Sequence, residues 1–174
     1  MDVKNNQDQS TIEYIQELIS KARQTEQRNI DKSLEYSREA LKLSKELNLT
    51  GLIAKSYVRI GRCNLINSDF NDAITHLNNA VELSIEAEES DTEIDGLISL
   101  GMVYTTLEIF DQAVSYYNQA LSIANDKGYK YQVARALNNL GTLHEELRNY
   151  DVALDYYKRS LENSSTLSDP YQLR

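Results

Sequence analysis

Tryptophan is absent from this 174-residue chain, and proline and cysteine each occur once. A single cysteine, Cys63, excludes a disulfide framework and a thiolate metal site, and it agrees with a reducing, cytoplasmic setting. One proline and six glycines leave few places where a helix must stop. Positive charge is scarce as well: 18 Lys and Arg against 27 Asp and Glu leave a net charge of −9. Such a chain has no basic field with which to displace counterions from phosphates, so nucleic acid is not an expected partner. No stretch approaches the ~20 apolar residues of a membrane span, so no membrane partner is expected either. Hydrophobic residues at 41% and charged residues at 26% are ordinary for a globular chain, and the composition predicts an all-α protein.

What is present is a repeat. Gly61, Gly101 and Gly141 are spaced by 40 residues, as are Ser33, Ala73, Ala113 and Ala153, and Ile30, Phe70, Phe110 and Tyr150. A fixed interval of this size is the mark of stacked supersecondary units. In each full unit a first helix (helix A) carries Leu or Ile before Gly, as Ile60-Gly61, Leu100-Gly101 and Leu140-Gly141. A second helix (helix B) opens on the aromatic, with small residues three and ten positions later: Ala73 and Ala80, Ala113 and Ala120, Ala153 and Ser160. Glycine inside a helix costs about 1 kcal/mol relative to alanine, so its recurrence predicts close approach between helices A and B. Ile12, Ile15, Leu18, Ile19 and Ala22 lie on one face of a helix expected to begin at Ser10 or Thr11, with Ser10 and Glu13 as a capping box. Ser90 and Glu93 form a second candidate box.

These spacings divide the chain into a polar, disordered N-terminus (1–9), four units (about 10–48, 50–88, 91–127 and 130–167) and a segment 168–174. By period, Tyr171-Gln172 falls on Tyr131-Gln132, which opens a helix A. The last segment is therefore expected to be the start of a truncated fifth unit, and the sequence a fragment of a longer protein. An uncapped apolar end of this kind is expected to favour self-association.

The pattern LNNLG…NY..AL.YY..SL over 137–161 resembles the tetratricopeptide repeat, in its long form with a 40-residue interval. Similar arrays occur in bacterial signalling proteins, kinesin light chains and Leu-Gly-Asn-rich adaptors. The resemblance covers about 10–167; the first unit is degenerate, with Lys21 at the glycine position and Ala22 substituting one residue on. It implies a right-handed superhelical solenoid of stacked antiparallel helix pairs whose A helices line a concave, peptide-binding groove. Counted from each glycine, the groove positions are Lys55, Val58, Arg59, Arg62 and Leu65, then Ile98, Ser99, Met102 and Thr105, then Arg135, Asn138, Asn139, Thr142 and Glu145. From these, Lys55, Arg59, Arg62, Met102, Arg135, Asn138 and Asn139 are the candidate peptide contacts. The basic members suit an acidic peptide or a terminal carboxylate, and the two asparagines suit the backbone of an extended peptide.

His76 and His144 lack the converging ligands that a metal needs, so no metal or other cofactor is expected. The tyrosine pairs Tyr116-Tyr117 and Tyr156-Tyr157 lie on helix B and are read as core residues with a polar tip. Without a phosphate loop, a catalytic triad or a carboxylate pair, no enzymatic activity is expected. The function read from the sequence is a protein- or peptide-binding scaffold. The alternative is a sensory or regulatory segment of a bacterial signalling enzyme, such as a nucleotide cyclase or sensor kinase, or a peptide-pheromone regulator.

Overall fold

A computed structural model describes residues 2–165 of the chain, with the side chains of 8–164. The described residues form eight helices: α1 (Asp2–Thr25), α2 (Ile30–Glu46), α3 (Thr50–Ile66), α4 (Phe70–Glu86), α5 (Ser90–Thr106), α6 (Phe110–Lys127), α7 (Lys130–Glu146) and α8 (Tyr150–Ser165). Odd-numbered helices are the A helices and even-numbered ones the B helices. Two compact units are distinguished, 1–96 and 97–174, and the division falls within α5.

The longer repeat interval is spent inside the helices. Most of them run 17 residues and are joined by three-residue turns, so a reversal occurs every 20 residues. The turns share one backbone solution. Asn48, Ser68, Glu88, Glu108, Gly128 and Arg148 all adopt the left-handed conformation, at φ 52–70°. At each one the next amide donates back to the carbonyl five residues earlier, as in Leu49 N to Ser44 O (2.9 Å), Asp69 N to Asn64 O (2.8 Å) and Asn149 N to His144 O (2.8 Å). This is the Schellman closure, which satisfies carbonyls that a helix end otherwise leaves unpaired. Only Gly128 adopts that conformation without strain against its own Cβ. Replacing Arg148 with Gly is expected to stabilise the fold by about 0.5–1 kcal/mol, and Gly128→Ala to destabilise it by about 1 kcal/mol, both read by thermal denaturation.

The first reversal departs from this pattern. Four residues, Glu26 to Asn29, separate α1 from α2, and none of them is left-handed. Asn29 caps α2 instead, its side chain accepting from Lys32 N at 3.0 Å.

In the first unit, Ile15, Leu18 and Ala40 form one buried cluster, flanked by Ile19, Tyr36 and Leu43. Leu34, Ile60 and Cys63 form a second between α2 and α3, flanked by Ile30 and Leu41. The recurrent glycines do what their spacing predicts. A Cβ on Gly61 would sit 2.6 Å from Leu77 Cγ, and one on Gly141 2.6 Å from Tyr157 Cε1. In the second unit Gly101 lies against the ring of the buried Tyr117. Degeneracy of the first pair is resolved by Ser33, whose hydroxyl donates to Ala22 O at 2.8 Å, so that Ala22 occupies the close-approach position.

Two expectations about helix starts are corrected. Residues 2–9, read as disordered, continue α1, because Asp2 to Gln9 contains no Gly or Pro to stop it and Gln9 donates to Glu13 one turn on (3.3 Å). Ser10 is therefore inside the helix and caps nothing. Ser90 is the first residue of α5, and the carbonyl before it, Glu89 O, accepts from Glu93 N (3.0 Å), so the Ser90 box does not form as read. Segment 168–174, with the proposed fifth unit, lies outside the described residues.

Candidate functional site

The A helices of the first unit bound an open cleft of about 350 Å³. Its wall is made by Gln16, Ile19, Ser20 and Arg23 of α1, Leu52, Lys55, Val58 and Arg59 of α3, and Asp91, Thr92 and Asp95 of α5. The arrangement follows from the sequence locally. Ile15, Leu18 and Ala22 turn one face of α1 inward, and Gln16, Ser20 and Arg23 lie on the exposed side. The floor is apolar, through Ile19, Leu52 and Val58, and the rim carries charge of both signs.

Behind the cleft lies a buried ion network. Glu26, 4% exposed, receives Arg62 through Nε (2.8 Å) and Nη2 (2.5 Å) at one carboxylate oxygen, and Arg59 Nη1 at 3.3 Å on the other. Arg59, 7% exposed, also meets Asp95 at 3.5 Å. Burial lowers the Arg59 pKa, the neighbouring Arg62 adds repulsion, and Asp95 and Glu26 offset part of both. At Arg62 burial acts in the same sense, but the hydrogen bonds and charge of Glu26 outweigh it and the pKa is raised. Lys55 pairs with Glu89 at 3.0 Å on the surface.

The seven sequence candidates separate accordingly. Lys55 and Arg59 line the cleft; Arg62 does not, and it is spent on Glu26. Ile98 and Ser99, counted as groove positions, are buried, and Val58, 1% exposed, reaches the cleft only at its floor. Met102, Arg135, Asn138 and Asn139 belong to the second unit. There the Arg135 guanidinium lies over the Tyr131 ring (5.7 Å), and Asn139 donates to Arg135 O (2.8 Å). Asn138 is exposed and Met102 half-buried.

Sequence reasoning missed Glu26, Asp91, Asp95 and Arg23. Asp95 had a faint signal: it takes the register position of Lys55, so the sign of charge changes from α3 to α5, although its partner on α3 is Arg59, one turn on. Glu26 had a fainter one, the irregular first turn.

Both histidines and the tyrosines Tyr104, Tyr116 and Tyr156 make contacts within the fold. His76 hydrogen-bonds Asn64 (3.2 Å) and Asp72 O (2.8 Å), His144 stacks on Tyr156 (5.4 Å), and Tyr104 stacks on Tyr116 (5.4 Å). Burial raises the Tyr117 pKa to about 12 and also raises that of the Cys63 thiol. Among the described residues no three His, Cys, Asp or Glu side chains are grouped to hold a metal ion, and no helix is long and apolar enough to cross a membrane.

Eight helices paired by short reversals, with small residues at the pair contact, define a helical-repeat protein of the tetratricopeptide type. Residues 52–126 and 94–165 match the tetratricopeptide repeat family model, and the chain belongs to that family. No curated protein matches the sequence. Solved structures share the fold. A Rap protein complexed with Competence and Sporulation Factor aligns with a TM-score of 0.82 and 21% identity over 91% of this chain and 44% of its own. Aspartyl phosphate phosphatase F from Bacillus subtilis gives 0.78 and 17% over 91% and 42%. BtubC from P. vanneervenii gives 0.71 and 21% over 98% and 77%. The chain thus spans less than half the length of the first two, and at these identities the likeness is one of fold.

Proposed function

We propose that this chain is a protein-binding scaffold whose first unit holds an extended peptide segment in the cleft between α1, α3 and α5. The observation that carries the reading is the cleft itself: an apolar floor of Ile19, Leu52 and Val58 under a rim of charged and amide side chains on three successive A helices. An apolar trough takes side chains, and polar groups on its rim fix orientation, which is the general build of a recognition site. Lys55 and Arg59 serve it as wall residues, while Met102, Arg135, Asn138 and Asn139 are the proposed contacts of the second unit. The reading is of a binding module without catalysis.

A second reading has an observation of its own. Two of the structural neighbours are an aspartyl phosphate phosphatase and a Rap protein complexed with Competence and Sporulation Factor. In that reading the array is the regulatory arm of a signalling protein, and the same cleft receives the signal.

Ser20→Trp tests the cleft. Ser20 is exposed and its hydroxyl only accepts from Gln24 at 3.3 Å, so the indole fills the trough without entering the core. Peptides selected on the wild-type chain from a random phage-displayed library are expected to lose binding at least tenfold, with the helical circular-dichroism signal unchanged. Retained binding would sink the cleft reading.

A further inference from the structure

Beside the cleft, around the irregular turn between α1 and α2, lies a second opening of about 350 Å³ lined by Arg23, Gln24, Gln27 and Arg28. We propose that this is an oxyanion site, and that it anchors a carboxylate or phosphoryl group on the peptide held in the cleft; the inference rests on the peptide reading above.

Three observations lead to it. The lining is entirely guanidinium and amide, all exposed, in a chain whose net charge is −9. The turn's own acid has been withdrawn: Glu26 points inward, 4% exposed, and is taken by Arg59 and Arg62. Among the described residues neither Arg23 nor Arg28 has an ion-pair partner, whereas in the cleft Lys55 pairs with Glu89 and Arg59 with Glu26 and Asp95.

Arg23 lines both openings, so a ligand reaching from one to the other passes it. A planar guanidinium takes a carboxylate or phosphoryl group through parallel hydrogen bonds, and two of them flanked by amide donors suit an oxyanion better than any other group. The ligand class that follows is a peptide with an acidic or phosphorylated residue at one end of an apolar segment. The apolar part lies on Ile19, Leu52 and Val58, and the oxyanion lies between Arg23 and Arg28. The sequence candidates placed positive charge at Lys55, Arg59, Arg62 and Arg135; the proposed anchor adds Arg23 and Arg28 beside the first turn.

The test uses the intact chain, a random phage-displayed peptide library, inorganic phosphate, and the variants Arg23→Ala/Arg28→Ala and Ser20→Trp. Selected peptides are expected to be enriched in Asp and Glu, and their affinity to fall about tenfold in the double arginine variant, equivalent to about 1.4 kcal/mol. Changing the peptide's acid to its amide is expected to cause a similar loss, smaller when added to the arginine variant, and affinity is expected to fall with salt. A phosphoserine version is expected to bind at least as tightly as the acid. Inorganic phosphate is expected to shift the Nε–H resonances of Arg23 and Arg28 and to compete with peptide.

Binding within twofold of wild type in the arginine variant, with Ser20→Trp still disruptive, overturns the oxyanion site and leaves the cleft reading standing. Indifference to Ser20→Trp, or no selected peptide at all, overturns the cleft reading and the inference with it. Phosphate shifts without any peptide competition identify a free-phosphate site and overturn the peptide anchor.

Discussion

Glu26→Ala is expected to lower the unfolding free energy of the chain by about 3–5 kcal/mol, the usual cost of breaking a buried ion network from one side. The carboxylate holds two guanidinium groups, one of them 7% exposed, at 2.5 to 3.3 Å. Without it, the buried Arg59 and the half-buried Arg62 are left as neighbouring cations, and Asp95 at 3.5 Å is a long contact for Arg59. Glu26→Gln keeps the shape and one acceptor oxygen and is expected to cost less than Glu26→Ala. Urea denaturation followed by circular dichroism measures both. A loss below about 1 kcal/mol for Glu26→Ala would mean that the arginines find water or another acid, and that the network does not hold the first turn. The same geometry makes charge reversal at Arg59 or Arg62 a poor probe of ligand binding, since it places like charges beside Glu26 and damages the fold first.

Gly101→Ala is expected to destabilise the second unit by about 1–3 kcal/mol, although alanine is the better helix former by about 1 kcal/mol. The added Cβ falls on Cδ1 and Cε1 of Tyr117, the middle of a ring that is 2% exposed and that hydrogen-bonds Thr105 at 3.2 Å. It cannot swing aside as the end of a flexible chain would. The decisive comparison is a change of sign. In a Tyr117→Ala background, itself expected to cost about 3–5 kcal/mol, Gly101→Ala is expected to become stabilising by about 1 kcal/mol, because only the propensity gain is left. A double-mutant cycle on thermal unfolding reads this, and a Gly101→Ala effect of the same sign in both backgrounds would refute the close-approach account.

Much of the fold was legible because its determinants are side-chain sizes at fixed intervals. Gly61, Gly101 and Gly141, with the small residues of the B helices, announce the pair contact before any coordinate is known. The reversals were less legible. Asn48, Ser68, Glu88, Glu108 and Arg148 share no side-chain chemistry, because what recurs is a backbone conformation and its hydrogen bonds, and residue type constrains these only weakly. The site was the least legible part. Arg59 and Arg62 stood out as cations on an A helix, but whether a cation is available depends on its neighbours. Here the neighbour is Glu26, 33 and 36 residues away in sequence, in the polar reversal between α1 and α2. Arg23, in the last turn of α1, and Arg28, in the reversal after it, carry no sequence signal that separates them from other exposed arginines.

The sixteen-residue separation between each glycine and the side chain it admits, Gly61 with Leu77, Gly101 with Tyr117 and Gly141 with Tyr157, also bears on how the chain finds its structure. Contacts that close short loops are reached early, because little chain entropy is lost in bringing their ends together. Each hairpin can form on its own side of the search without waiting for a distant strand of chain, and a folded neighbour offers it a surface to grow on. Assembly is then a propagation rather than a single collapse, and the regular reversals let it start at more than one point along the sequence.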